Sequence, residues 1–165
     1  MSTSALIAGV GNIFLGDDGF GPEVIRRIRA HPLPPGITAI DYGIRGLHLA
    51  YDLMQPLELL IIVDALMRPG HAPGTLFALE PDLASLPGGD QSPHGMDLPA
   101  VFAQARALGA AMPPVRIVGC VPKSVEERMA LSPQVEAVVD DAVTIVLELL
   151  DREIKPVGKQ PEVHP

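Results

Sequence analysis

Leu59–Val63 in the stretch LELLIIVDA is a run of five uninterrupted large apolar residues that ends directly on a carboxylate, Asp64. A strand of this composition has no polar face to give to water, so it belongs in a sheet that is covered on both sides. Ala5–Val10 (ALIAGV) has the same character and is cut off by glycines. The segments between such runs change to helical spacing. From about Gly21 a helix is predicted, with Pro22 in its first turn and Val24, Ile25 and Ile28 on one face, stopping before Pro32. Ile37–Tyr42 is a second strand, Gly46–Met54 a short helix and Leu57–Val63 the third strand. Gly74–Leu79 is predicted as a fourth strand, Leu83–Met96 as a long loop, Leu98–Leu108 as a helix and Val115–Cys120 as a fifth strand.

Ser132 and Pro133 read as the N-cap and first residue of a last helix. Val135, Val138, Val139, Ala142, Val143, Val146, Leu149 and Leu150 then recur at helical spacing, which predicts one long amphipathic helix lying on the sheet. The alternation of strands and helices predicts an α/β fold: a three-layer αβα sandwich around a five-stranded, mostly parallel twisted sheet. With 165 residues and no internal linker, one domain over residues 1–151 is expected, followed by a disordered tail over 152–165 where prolines replace the apolar period.

Charge and composition narrow the function. Twelve basic and twenty acidic residues give a formal charge of −8, which disfavours nucleic acid and anionic membranes as partners. No stretch reaches the ~20 apolar residues of a membrane span. The N-terminus lacks the pattern of a secretory signal, so a cytoplasmic protein is expected. The single cysteine, Cys120, excludes an internal disulfide and a multi-cysteine zinc site.

In a parallel sheet, ligands bind outside the carboxyl ends of the strands. That rule gathers the loop Gly9–Gly21 (GVGNIFLGDDGFG), the segment Tyr42–Gly46, Asp64 and, through the long loop, His94. The glycine loop is placed like a dinucleotide-binding turn, and Asp41 lies about 20 residues beyond it. In detail it does not fit. Counted from Gly9, the third glycine of the motif would fall on Phe14, and Asp17 and Asp18 would put negative charge where a pyrophosphate must sit.

One of these aspartates has an alternative use as a cap on free helix amides. Neighbouring side chains in an extended segment diverge, so one can cap while the other faces the crevice, and local pattern does not say which. Asp64, at the edge of the core, needs a cation or a donor nearby. His94 in S-P-H-G is held by a restricted backbone, with His71 as a rival in a similar setting. Two carboxylates and a histidine at the strand ends would suit a hard-to-borderline cation with open positions. A Cys120 nucleophile paired with His94 is the weaker alternative, and no G-x-S-x-G elbow or P-loop lysine is present.

Six blocks in fixed order resemble the maturation proteases of [NiFe] hydrogenases: G-V-G-N-I-F-L-G-D-D-G-F-G, D-Y-G-I-R-G-L, L-I-I-V-D-A with P-G-T-L after it, S-P-H-G-M-D-L, V-G-C-V-P-K-S and L-S-P-Q-V-E. The similarity runs from Leu6 to about Leu150, and the opening block is the most specific. The resemblance implies a phosphorylase/hydrolase-like αβα fold and an endopeptidase that removes a C-terminal peptide from the hydrogenase large-subunit precursor. It implies that nickel carried by that precursor, rather than stored by the enzyme, is the recognition element. The metal-contacting positions map onto Asp18, Asp64 and His94, with Asp18 and Asp64 as the catalytic pair, and the protein is expected to act as a monomer. Where many members have threonine after the glycine of the second block, this chain has Ile44 and Arg45, which makes Arg45 a candidate for choosing the cognate precursor. A non-catalytic nickel-dependent assembly chaperone is the alternative from another class, and a nucleotide-binding Rossmann-like oxidoreductase is a minor one.

Overall fold

The computed structural model describes residues 5–83 and 96–154. Its five strands are β1 (Ala5–Val10), β2 (Ile37–Gly43), β3 (Leu59–Ala65), β4 (Leu76–Leu79) and β5 (Val115–Cys120). They form one sheet in the order β2-β1-β3-β5-β4, parallel except for β4, which pairs antiparallel with β5. The helices are α1 (Phe20–Ile28), α2 (Gly46–Asp52), α3 (Leu98–Ala107), α4 (Pro133–Glu136) and α5 (Val139–Glu153), and a 3-10 turn covers Gly16–Gly19. Of the described residues, none belongs to a helix long and apolar enough to cross a membrane.

Alternation along the central strands splits the core into two layers. Ala5 and Ile7 of β1, with Leu59, Ile61 and Val63 of β3, pack against Val24, Ile25 and Ile28 of α1 and Val143 and Val146 of α5. Leu6, Ala8 and Val10, with Leu60 and Ile62, pack against Leu49 and Ala50 of α2 and Val101 and Phe102 of α3. Both faces of LLIIV are therefore covered, as its composition requires.

The topology locates the crevice. From β1 the chain passes through α1 to β2 on one side, then returns through α2 to β3 on the other side of β1. The strand order thus reverses between β1 and β3, where the loops after the two strands part and leave an opening at their carboxyl ends. Gly21 brings α1 down onto that opening. A Cβ there would lie 2.4 Å from the carbonyl oxygens of both Val10 and Val63, so only a residue without a side chain allows this approach.

Several predicted boundaries shift. Strand β3 extends through Asp64 and Ala65, so Asp64 is the strand's penultimate residue rather than the residue after it. The long last helix is two helices, because the chain leaves helical geometry at Val138 (φ −112°, ψ 3°) between α4 and α5. Periodicity hides this break, since Val135 and Val139 are buried on both sides of it. Helix α5 continues through Glu153, past the expected start of the tail, and the remaining tail from residue 155 lies outside the described residues, as does most of the predicted loop Leu83–Met96.

Candidate active site

The glycine loop is built by backbone that few residues can follow. Gly11 has φ +138°, and a Cβ on it would meet the Asp18 carbonyl oxygen at 1.9 Å. The loop therefore folds back on itself, and Asp18 Oδ2 accepts the Asn12 N–H at 2.7 Å, while Asn12 Oδ1 accepts the Phe14 N–H at 2.9 Å. Two neighbouring aspartates in the 3-10 turn then take different roles.

Asp17 is fully buried. Its Oδ2 accepts the N–H groups of Lys123 (2.8 Å) and Ser124 (3.2 Å) and the Ser132 hydroxyl (2.8 Å), and its Oδ1 accepts the Ser132 N–H (2.6 Å). Burial alone would raise the pKa of this carboxyl, but the bonds from Ser132, Lys123 and Ser124 outweigh it and hold the group below the usual aspartate value. The capping expectation is thereby corrected: neither aspartate caps α1, whose N-cap, Gly19, has no side-chain bond, and the amides that Asp17 serves lie more than 100 residues away. The Ser132 side chain is corrected as well. It makes no capping bond to α4, because its hydroxyl donates to Asp17 instead.

Asp18 is left at the opening, half-buried, opposite Asp64. Alternation continues Leu60 and Ile62 to Asp64, on the α2/α3 side of the sheet. The Asp64 carboxyl is pushed well above the usual carboxylate range, first by burial and second by the negative charge of Asp18, and the N–H of Ala65 does not offset this. A cation reaching both carboxylates would remove the conflict, since an opposite charge favours the ionised form of each. No cluster of three potential metal ligands occurs among the described residues. His94, the third predicted position, lies outside them.

The other candidates separate from this pair. His71, His31 and His48 are exposed; His48 sits on α2, 3.8 Å from Asp52. Asp41 accepts the Gly43 N–H at 2.9 Å, closing the turn after β2. The Arg45 guanidinium donates to the backbone carbonyls of Tyr42 (3.1 Å) and Asp41 (2.6 Å), so it braces the end of β2. Cys120 is fully buried and donates weakly to the Val121 carbonyl at 3.7 Å. Its thiol is pushed up to about 12, by burial first and by the Asp17 charge second, which is the reverse of what a nucleophile needs. Iodoacetamide at pH 8 is expected to leave Cys120 unmodified in the native protein and to alkylate it fully in denaturant, as read by intact mass; rapid native labelling would contradict its place in the core.

Sequence reasoning missed the reach of Asp17. Residues 122–132 show only a family-like block and a helix start in sequence, yet they supply the Lys123, Ser124 and Ser132 donors to this buried carboxylate. The one available signal was the adjacency of two aspartates that cannot both face the crevice.

An α/β sandwich with paired acidic side chains at the strand-order reversal defines the general class: an enzyme or binding protein that works at the carboxyl edge of its sheet. The family model described as hydrogenase maturation protease matches residues 22–149, and the chain belongs to that family and is a peptidase. It is 33% identical over 147 residues to the hydrogenase 2 maturation protease of Escherichia coli K12, covering 88% of this chain and 89% of that one. It is 30% identical over 146 residues to the hydrogenase expression/formation protein HupD of Rhodobacter capsulatus, covering 84% and 69%. The solved hydrogenase maturating endopeptidase HybD from E. coli superposes with a TM-score of 0.80 at 33% identity, covering 92% of this chain and 93% of that one.

Proposed function

We propose that this peptidase removes a C-terminal peptide from the large-subunit precursor of a [NiFe] hydrogenase, and that nickel already seated in the precursor is what it recognises. The carrying observation is the Asp18–Asp64 pair, two carboxylates close enough for the charge of one to raise the other at the mouth of a crevice. Two like charges at this range repel, and a cation reaching both would offset that repulsion. Nickel arriving with the substrate would convert a repulsive pair into a ligand set, so a loaded precursor gains affinity that an empty one lacks. His94 is the third ligand in this reading, carried over from the S-P-H-G block.

The hydrolytic step needs a base and an electrophile. One carboxylate of the pair accepts a proton from the attacking water while the scissile carbonyl is polarised by the metal that the precursor brings. A cytoplasmic site of action follows from the same reading, because the metal is inserted before the cut. The test is the intact mass of a purified precursor, nickel-loaded and nickel-free, before and after incubation with the protein. Loss of a C-terminal peptide from the loaded form alone is the expected result. A stable complex with no cleavage of a correctly paired precursor would favour the assembly-chaperone reading instead.

A further inference from the structure

A precursor whose scissile bond reaches Asp18 must lay its folded body across the carboxyl edge of the sheet, and the loops of that edge expose apolar side chains among their charged ones. Ten large hydrophobic residues are exposed among the described residues; seven of them sit on the loops after β1, β2, β3 and β5 or in the first turn of α2. The other three lie in the last turn of α2 (Tyr51) or just after α2 and α3 (Met54 and Leu108). Scattered single hydrophobics need no explanation, but a concentration on the edge that holds the acidic pair does.

One part of this surface lies beside Asp18. Ile13 and Phe14 are 46% and 56% exposed and Met129 is 72% exposed, with Val125 nearby in the same loop. Their two loops are fastened together: Gly16 N–H donates to the Arg128 carbonyl (2.8 Å), Arg128 N–H to the Phe14 carbonyl (2.9 Å) and Asp17 N–H to the Ser124 carbonyl (2.9 Å). The Asp17 carboxylate adds its bonds to residues 123, 124 and 132. The exposed side chains thus stand on a braced frame, and a preorganised surface loses little backbone entropy when a partner covers it. The frame opens onto a groove of about 880 Å³ lined by Ile13, Met129, Pro22, Ile25 and Leu131 together with the charged Glu23, Arg26, Arg29, Asp41 and Glu136, with Gly16 and Gly19 on either side of Asp17 and Asp18 forming part of its wall.

We infer that this platform, Ile13, Phe14, Val125 and Met129 with the groove beside it, is the docking surface for an apolar patch of the hydrogenase precursor next to the cut. The inference rests on the protease reading above and goes beyond it by assigning where the precursor's body is held. The platform is continuous with the acidic pair through a single 3-10 turn, so docking there and presentation of the bond to Asp18 are parts of one contact. A second copy of this chain is the competing occupant.

The test compares the parent protein, the double variant Phe14→Ser with Met129→Gln, and Leu108→Gln at the other end of α3, all checked for unchanged melting. KM for nickel-loaded precursor is expected to rise about tenfold or more in the double variant, with kcat within about twofold and Leu108→Gln unchanged. The dissociation constant of the complex, measured without cleavage, is expected to rise in parallel. A double variant with parent KM and parent affinity overturns the inference. So does an equal loss in Leu108→Gln, and so does a dimeric parent, measured by sedimentation, that the double variant converts to monomer. If the parent binds but never cuts, the protease reading fails while the affinity comparison still decides the docking surface.

Discussion

An Asp18→Asn variant is expected to fold like the parent chain and to lose about a thousandfold in the rate of precursor cleavage. The fold is spared because asparagine keeps a carbonyl oxygen where Asp18 Oδ2 now accepts the Asn12 N–H, so the loop retains its brace and stability changes by about 1 kcal/mol or less. Activity is lost because the neutral amide can neither act as a base nor satisfy a cation as a carboxylate does. The variant also removes the charge that helps to raise Asp64, so the remaining carboxyl should ionise more easily. Melting curves and precursor mass, measured on the same preparation, check both halves. Retained cleavage with lowered melting would make Asp18 a loop brace only.

The same substitution one residue earlier should do the opposite. Asp17→Asn places an amide group among four hydrogen-bond donors in a site with no solvent, where one oxygen cannot serve what two served before. Leaving buried donors unmatched is expected to cost about 3 kcal/mol and to lower the melting temperature by about 10 °C. The pH dependence carries a sign that identifies the cause. The folded pKa of Asp17 lies below the 3.8 of an ordinary aspartate, so its contribution is complete above about pH 3.8. It is lost as the pH falls through the folded value, and the gap between parent and variant should close there. Urea unfolding of both proteins from pH 7 down to pH 3 measures this. A variant with parent stability at pH 7 would show that loops 123–132 are held by something other than this carboxylate.

These two predictions mark the limit of what local pattern could tell. The strands at Ala5–Val10 and Val115–Cys120 end where composition places them, because a short, mainly apolar run bounded by glycine or proline has few other ways to be buried. The helix predicted from Leu98 starts there, with the Asp97 side chain accepting the Ala100 N–H as its cap. The break at Val138 was not legible, since a helical period survives a short interruption when both pieces press the same face onto one sheet. Ser132 misled for a related reason. Its position before Pro133 is that of a cap, but a buried carboxylate offered its hydroxyl a stronger partner than the exposed first turn of α4.

The sequence by itself determined the layers and the order of the elements, and it brought Asp18 and Asp64 to the same edge, because side-chain period and the position of glycine and proline are local properties. Local pattern left open which of two adjacent aspartates faces the crevice, and only tertiary structure supplies the physical reason. Within one 3-10 turn either could have turned outward. The choice went to the partner that pays the cost of burial, the donors of Lys123, Ser124 and Ser132, and these become neighbours of Asp17 only when β5 and the loop after it are in place.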